Sequence, residues 1–356
     1  MKTRMNLVAV LALALAATAG LNAETHKFVP AAFHTTFSAA HPVVLKVKSG
    51  DKVVTSTLDD MGIGADGKPI AEGAVNPQTG PFFIEGAEPG DLLVVSIDKL
   101  TPNRTTGYST STMLANSIDA GSITSRPDKT RFPWTIDTAR GTVRMDLSVF
   151  RGVDWKTRFG NPYFELPLTP TLGSIGVAPA GTDATAATTP GTFGGNMVSA
   201  AVTAGTRVML EVKQPGALLF LGHGLASTGE GAVTGTGIET SMDVEFSVEV
   251  VKKKEWPHSS DVRPSTVVGE FTQGWPRLES ATYLTTIGTA PTLLDALQHA
   301  TIELHHWLDD DFGLNEKGVS VIMGQAIEYE IGRISESSFT VAARIKKTYL
   351  PQPAGK

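Results

Sequence analysis

A glycine-rich loop between two apolar segments places the strongest constraint on how this chain can fold. Residues 217–221 form an apolar run, the following loop carries one histidine and two glutamates among its glycines, and residues 242–250 alternate apolar and polar side chains. Glycine lets backbone amides approach a small ligand, and loops of this kind often carry chemistry. The alternative is a long β-hairpin whose glycines serve only tight turns. Residue types alone support both interpretations.

Several other segments also alternate with period two, which is typical of strands with one buried face. Such alternation occurs at residues 143–149, 242–250 and 339–345. Turns rich in glycine, proline and acidic residues separate these segments, as at residues 49–51 and 88–91. This pattern is typical of sandwiches and barrels. We therefore predict a mostly β protein built from sandwich-like or barrel-like lobes.

One C-terminal segment has a helical period instead. The leucines that recur there are Leu294, Leu297, Leu304 and Leu308. Proline precedes this segment and glycine follows it, which marks the ends of a helix. We predict an amphipathic helix at about residues 291–312 and a shorter helix at 317–327, so that the C-terminal part is α+β. His299 and Glu303 are predicted to lie on the solvated face of the long helix.

The N-terminus has the features of an export signal. Lys2 and Arg4 precede an apolar run over residues 7–17, and small residues near Ala19 and Ala23 offer cleavage sites. The run is too short to span a bilayer, and no later segment has the roughly 20 apolar residues that a membrane helix needs. We expect the mature protein to be periplasmic or secreted, without a membrane anchor. A lipoprotein would need a cysteine, which the chain does not contain.

The predicted organisation has four parts. These are a signal peptide (1–23), an N-terminal β-rich lobe (24–170), a second β-rich and α+β part with the glycine-rich loop (171–350), and a tail (351–356). Residues 180–193, rich in Ala, Thr, Gly and Pro, are predicted to form a flexible loop, either a plain surface insertion or a lid.

Composition excludes several classes of function. The absence of cysteine excludes nitrilase-type amidases, which need a cysteine nucleophile, and leaves core burial to stabilise the fold. We find no Ser-Ser-Lys amidase signature, no Gly-x-Ser-x-Gly nucleophile elbow and no His-Glu-x-x-His motif. The net charge of -6, with dispersed Lys and Arg, makes nucleic acid an unexpected partner.

Motifs in a fixed order give the chain a family resemblance. They are Asn-Pro-Gln-Thr-Gly-Pro to Gly-Ala-Glu-Pro-Gly-Asp (76–91), Gly-Ser-Ile-Gly-Val-Ala-Pro (173–179), Gly-Gly-Asn-Met (194–197), the loop and Ser-Met-Asp-Val-Glu-Phe strand (222–246), and Gly-Trp-Pro-Arg (274–277). These motifs resemble those of the acetamidase/formamidase family over roughly residues 34–350. The resemblance implies a mostly β fold, hydrolysis of small linear amides to ammonia and a carboxylate, and a bound divalent metal.

The chain departs from the family pattern in the glycine-rich loop. His223 stands at an aspartate of the pattern, Leu225 at its histidine, Thr228 at its glutamine and Ala232 at its final glutamate, while Val198 replaces an aspartate. Fold transfers between relatives more safely than chemistry does. The alternative to an amidase is therefore a catalytically impaired, exported relative that binds a small ligand. A rearranged site that hydrolyses a different C–N or ester bond lies between these two.

The candidate metal ligands are His34, Asp59 and His223. His34 matches a histidine near the start of the family's conserved region, and imidazole at position 223 is a competent zinc ligand in place of aspartate. We therefore predict a divalent metal, with zinc favoured, and place His223 within bonding distance of Asp59 or Glu230. Each of the three residues is alternatively a hydrogen-bonded structural residue.

Three further residues are candidates for catalysis. Glu230 aligns with an acidic position of the family's loop and is predicted to be the general base, the alternative being a solvated turn residue. Asn196 and the amides of Gly194 and Gly195 are predicted to donate hydrogen bonds to the substrate carbonyl. Glu239 is predicted to face the pocket. The expected partner is a small-molecule amide, and the sequence leaves a homo-oligomer open.

Overall fold

The computed structural model describes residues 23–70, 73–119, 121, 130–150, 154–182, 184–255, 274–335 and 337–351. The predicted signal peptide lies outside the described residues except at residue 23, and the predicted tail does so except at residue 351.

Strands dominate the described residues. The first twelve are β1 (Thr25–Lys27), β2 (Thr36–Phe37), β3 (Leu45–Val47), β4 (Lys52–Thr57), β5 (Thr79–Ile84), β6 (Leu92–Pro102), β7 (Thr106–Thr110), β8 (Arg131–Asp137), β9 (Thr142–Asp146), β10 (Tyr163–Pro167), β11 (Thr171–Leu172) and β12 (Ile175–Val177). The others are β13 (Thr185–Ala186), β14 (Pro190–Gly191), β15 (Gly194–Gly195), β16 (Arg207–Glu211), β17 (Leu219–Leu221), β18 (Gly224–Leu225), β19 (Glu239–Thr240), β20 (Met242–Val251), β21 (Arg277–Glu279), β22 (Tyr283–Ala290), β23 (Glu328–Ile334) and β24 (Phe339–Lys346). The α-helices in the same residues are α1 (Trp155–Phe159), α2 (Leu293–Phe312) and α3 (Glu316–Ala326).

The strands form three large sheets and one small one. The nine-stranded sheet has the order β1-β4-β20-β6-β16-β21-β22-β24-β23, the seven-stranded sheet β10-β9-β8-β7-β19-β18-β11, and the six-stranded sheet β14-β15-β12-β17-β5-β3, while β13 pairs with β2. The mostly β fold class predicted from the sequence is confirmed. The nine-stranded sheet takes strands from both sides of residue 170, and the predicted division into two parts there stays a prediction.

The main core lies between the nine-stranded and six-stranded sheets. Its largest side chains are aromatic: Phe37, Phe82, Phe220 and Phe246 are fully buried. β20 shows how period two builds this core, since Met242, Val244, Phe246 and Val248 are buried while polar residues between them face outward. One predicted strand is shorter than expected. β9 ends at Asp146, whose side chain accepts a hydrogen bond from the Ser148 amide and starts a short 3-10 turn.

α2 covers the other face of the nine-stranded sheet. The side chain of Thr292 caps its first turn, and Gly313 ends it in a left-handed conformation (φ 61°). Gly288 of β22 allows close contact, because a Cβ there would lie 2.2 Å from the Ala296 carbonyl oxygen. The prediction that Glu303 faces solvent is wrong. Its carboxylate is buried and accepts a hydrogen bond from Arg277 Nε at 2.5 Å.

The predictions on membrane helices and on residues 180–193 concern this part of the description. In the part of the chain that the structure describes, no helix is both long enough and apolar enough to cross a membrane. Residues 180–193, predicted to be a flexible loop, contain the short strands β13 and β14 in their described part.

Four chain segments cross between the three large sheets at one place, which we call the sheet junction. The connections are β11 to β12 through Gly173-Ser174, β17 to β18 through Gly222-His223, β19 to β20 through Ser241, and β6 to β7 through Asn103-Arg104-Thr105. At each connection the chain leaves one sheet and enters another, so polar residues from distant parts of the sequence meet there. The sheet junction is therefore the candidate site.

Candidate functional site

His223 lies at the centre of the sheet junction. The Gly173 amide donates to the His223 carbonyl oxygen at 2.8 Å, and the Gly222 amide donates to the Ser174 carbonyl oxygen at 2.8 Å. The imidazole packs directly on Gly173, where a Cβ would lie 2.3 Å from its Cε1 and Nε2 atoms. Only glycine leaves room for this ring. The close approach of the two connections therefore fixes the position of the imidazole.

Three side chains form a hydrogen-bonded group that we call the buried triad: His223, Glu239 and Asn196. His223 Nδ1 lies 2.8 Å from Glu239 Oε2, and His223 Nε2 lies 3.1 Å from Asn196 Oδ1. All three residues are at most 3% exposed. The sequence reasoning proposed Asp59 or Glu230 as the partner of His223, whereas its hydrogen bonds are to Glu239 and Asn196.

The contacts of the buried triad assign its protons. Asn196 Nδ2 donates to the Thr188 carbonyl at 3.4 Å, so Asn196 Oδ1 is the acceptor and His223 Nε2 carries the hydrogen. A neutral imidazole then has its lone pair on Nδ1, and Glu239 Oε2 must donate to it. The other oxygen, Glu239 Oε1, accepts from the Gly237 amide at 3.3 Å. The triad is therefore uncharged.

The pKa shifts agree with this assignment. Burial raises the pKa of Glu239 well above its ordinary value, and the charge of Asp59 raises it further. Burial also lowers the pKa of His223, against the opposing effect of Asp60. A protonated carboxyl and a neutral imidazole are the forms that both shifts favour.

Asp59 and Asp60 are adjacent in sequence but have different surroundings. Asp59 Oδ1 accepts from the amides of Met61 (3.0 Å) and Ile63 (2.9 Å), and Asp59 Oδ2 accepts from Arg104 Nη2 at 2.6 Å. Both groups of this ion pair are buried, at 0% and 7% side-chain exposure. Asp59 therefore carries a charge that is already compensated.

Asp60 is partly exposed and bonded to a tyrosine. Tyr108 donates its hydroxyl hydrogen to Asp60 Oδ1, and Tyr108 lies directly across the β7–β19 pair from Glu239. Desolvation raises the pKa of Asp60 to about 7, and Glu239 adds to the rise. Burial and then Asp60 raise the pKa of Tyr108. Asp60 thus combines solvent access with a pKa near neutrality, which suits a group that exchanges protons.

The residues predicted to bind a metal ion do not form a ligand set. Asp59 is held by Arg104 and two amides, and both ring nitrogens of His223 have partners within the buried triad. His34 stacks on His41 at 3.8 Å, and its buried Nε2 has no hydrogen-bond partner. Among the described residues, no group of three or more His, Asp or Glu side chains is placed to hold a metal ion. The three predicted ligands therefore do not fit a zinc ion in the described residues, and the zinc stays a prediction.

The predicted catalytic residues are divided by the structure. Asn196 and Glu239 come together in the buried triad, whereas Glu230 is exposed on a 3-10 turn and makes no hydrogen bond to the triad. The segment Gly194–Gly195 forms β15 between β12 and β14. Sequence reasoning missed Asp60 and Tyr108. The pair of aspartates at the end of β4 was a usable signal for the first, and no local signal marked the second.

The three apolar residues that replace polar family residues pack against one another. Val198, Leu225 and Ala232 form a small cluster and are 6%, 0% and 4% exposed. Val198 has φ 48° and Ala232 has φ 40°, which is left-handed backbone that favours Gly, Asn or Asp. The Val198 backbone thus retains a shape that suits the aspartate of the family pattern. Three positions that are polar in the family pattern thus carry apolar side chains in this chain, and these side chains form one buried cluster.

Comparisons with known proteins agree with the fold. A model of the acetamidase/formamidase family matches residues 24–182. An acetamidase from Yersinia enterocolitica is 26% identical, covering 94% of this chain and 95% of that one, with a TM-score of 0.73. An acetamidase from Bacillus halodurans is 24% identical (91% and 98% covered, TM-score 0.71), and a predicted acetamidase/formamidase from Thermoanaerobacter tengcongensis is 23% identical (92% and 96%, TM-score 0.71). A search of curated proteins found no match.

These findings confirm the resemblance to the acetamidase/formamidase family. Two of the structural neighbours are named as acetamidases and the third as a predicted acetamidase/formamidase.

Proposed function

We propose, from the confirmed resemblance to the acetamidase/formamidase family, that this chain is an exported amidase that hydrolyses the C–N bond of small linear amides. The observation that carries the proposal is the buried triad at the sheet junction, together with the partly exposed Asp60, which is hydrogen-bonded to Tyr108, the backbone partner of Glu239 across β7 and β19. A fully hydrogen-bonded group of this kind is held in one position, and the half-buried Asp60 lies in the same region. In this proposal the buried triad positions the neighbouring groups, and Asp60 acts as the base.

The proposed reaction uses Asp60 as the base. Its carboxylate takes a proton from water while the water oxygen adds to the amide carbon, and the carbonyl oxygen becomes negatively charged. The protonated Asp60 then returns the proton to nitrogen as the C–N bond breaks. The products are ammonia and a carboxylic acid, which ionises. Tyr108 donates a hydrogen bond to Asp60 and holds the carboxyl group in place.

The buried triad has a positioning role in this proposal. Glu239 donates to His223, and His223 donates to Asn196. No member of the triad is therefore charged, and none competes for the carboxylate of Asp60, the proposed base. Asn196 uses both ends of its amide, toward His223 and toward the Thr188 carbonyl. The predicted roles of Asn196 as an oxyanion donor and of Glu230 as the base are therefore replaced in the proposal by Asp60 and the triad. No step is assigned to a metal.

Ammonia release from acetamide and formamide tests the amidase proposal. Asp60→Asn keeps an acceptor for Tyr108 but cannot take a proton, so we expect at least about a 100-fold loss of the rate constant. Asp66→Asn, in the exposed segment that follows, is the matched control and should retain the wild-type rate. Equal rates for the Asp60 variant and wild type would contradict the proposal. Metal analysis of the purified protein tests the zinc prediction in parallel.

A binding protein without catalysis is the second candidate. The cluster of Val198, Leu225 and Ala232 favours it, because three polar positions of the family pattern have become apolar together. Calorimetric titration with acetamide separates the two candidates. Binding with no ammonia released over many hours favours the binding protein, and ammonia release at a rate that depends on Asp60 favours the amidase.

Export is proposed from the N-terminal sequence. Mass spectrometry of the protein recovered from the periplasm or medium should show a chain that lacks about the first 23 residues. Recovery of intact Met1 from the cytoplasm would contradict the proposal.

A further inference from the structure

An arginine reaches the sheet junction from the edge of the nine-stranded sheet. Arg333 lies on β23, where the pairing with β24 shifts at Gly332, and such bulges re-aim side chains. Arg333 Nη1 donates to the Thr188 carbonyl at 2.9 Å, which is the carbonyl that Asn196 Nδ2 also contacts. One shared carbonyl oxygen therefore separates the guanidinium from the buried triad.

The charge of Arg333 has no ionised partner in the described part of the chain. Asp59 is bonded to Arg104, and Glu239 holds the proton that it donates to His223. No carboxylate forms an ion pair with Arg333 among the described residues, where its one hydrogen bond goes to a neutral carbonyl. A partly buried cation without a counterion is costly, and a ligand with a negative charge would remove that cost.

We infer that Arg333 is the cationic group of this site and binds the negatively charged oxygens that the reaction creates, first the oxyanion and then the carboxylate product. The planar guanidinium presents paired N–H donors that fit a carboxylate. This inference rests on the proposed function, because it names the residue that meets the product. Arg333 would then supply in this chain the positive charge that the family is expected to take from a metal.

The cluster of Val198, Leu225 and Ala232 supports the exchange of a metal for an arginine. A divalent ion needs several anionic or imidazole ligands, and this cluster offers none, whereas a guanidinium needs no ligand to carry its charge. Burial lowers the pKa of Arg333, as expected for a guanidinium that is partly withdrawn from solvent.

Acetate binding tests the inference without requiring turnover. Calorimetry with sodium acetate, with sodium chloride as the ionic-strength control, is carried out on wild type, Arg333→Gln, Arg333→Lys and Arg207→Met. Gln retains a donor for the Thr188 carbonyl but loses the charge, and it should weaken acetate binding about 10- to 100-fold. The acetate affinity of Arg333→Lys should lie between those of Arg333→Gln and wild type. Arg207 of β16 forms ion pairs with Glu249 and Glu279, and the Arg207→Met control should bind acetate as wild type does.

Thermal unfolding separates a ligand-binding role from a structural one. Without acetate, Arg333→Gln should be at least as stable as wild type, because it removes an uncompensated charge. Acetate should raise the melting temperature of wild type and not that of the Gln variant. If Gln does not fold, the same comparison is made with Lys, which should show a smaller rise than wild type.

Several results would overturn the inference. The first is wild-type acetate affinity in folded Arg333→Gln. The second, where Arg333→Gln does not fold, is an acetate-induced rise in melting temperature for Arg333→Lys as large as that of wild type. The third is one divalent ion per purified chain whose removal by a chelator abolishes acetate binding. Failure of the proposed function is distinguishable. Acetate binding that depends on Arg333, in a protein that releases no ammonia, contradicts the amidase alone. Ammonia release with acetate binding independent of Arg333 contradicts this inference alone.

Discussion

Replacing Asp60 with asparagine should remove a large pH-dependent loss of stability. The pKa of this carboxyl rises from 3.8 in the unfolded chain to about 7 in the fold. Between these values the unfolded chain has released the proton and the folded chain retains it, so the free energy of unfolding falls as pH rises. The free energy of unfolding falls by about 1.4 kcal/mol for each pH unit and by about 4 kcal/mol over the whole interval.

The asparagine variant has no proton to retain and keeps the acceptor for Tyr108. Urea unfolding at about pH 5 and about pH 7, followed by tryptophan fluorescence, measures the effect. The free energy of unfolding of the variant relative to wild type should rise by about 2 kcal/mol between these two pH values, because the folded carboxyl is half titrated at about pH 7. Asp66→Asn is the control. A variant curve parallel to that of wild type would refute the reasoning.

Three further substitutions test the packing of the site and the core. Gly173→Ala should push the His223 ring from its place and cost about 1–3 kcal/mol in urea unfolding, whereas Gly229→Ala, with open space around it, should cost little; equal costs would contradict the close-contact argument. Glu239→Gln keeps a donor to the imidazole and should stay within about 1 kcal/mol of wild type at neutral pH, whereas Glu239→Ala should cost about 2–4 kcal/mol, and a Gln variant as unstable as Ala would show that the carboxyl is ionised. Glu303→Ala should cost about 3–5 kcal/mol, because it leaves a buried arginine unpaired, and a loss below 1 kcal/mol would place that pair in solvent.

The sequence by itself was sufficient for the elements whose signal is local. Alternation over residues 242–250 predicted β20, because a strand with one buried face needs apolar residues at every second position. The capped leucine repeat predicted α2 within two residues at its start. The order of the motifs predicted the family resemblance. The strand signal and the helix signal each lie within one short segment, and the motifs are recognised from residue types alone, so no long-range contact was needed.

The site itself was decided by tertiary structure. Nothing near His223 indicates that its partners are Glu239 and Asn196, because these contacts exist only where strands cross between sheets. The same crossing places Tyr108 opposite Glu239 and next to Asp60. Neighbouring aspartates then acquire different states, one ionised against an arginine and the other with its pKa raised by desolvation. Burial and partners determine the charge of a side chain, and both depend on residues that are distant in sequence.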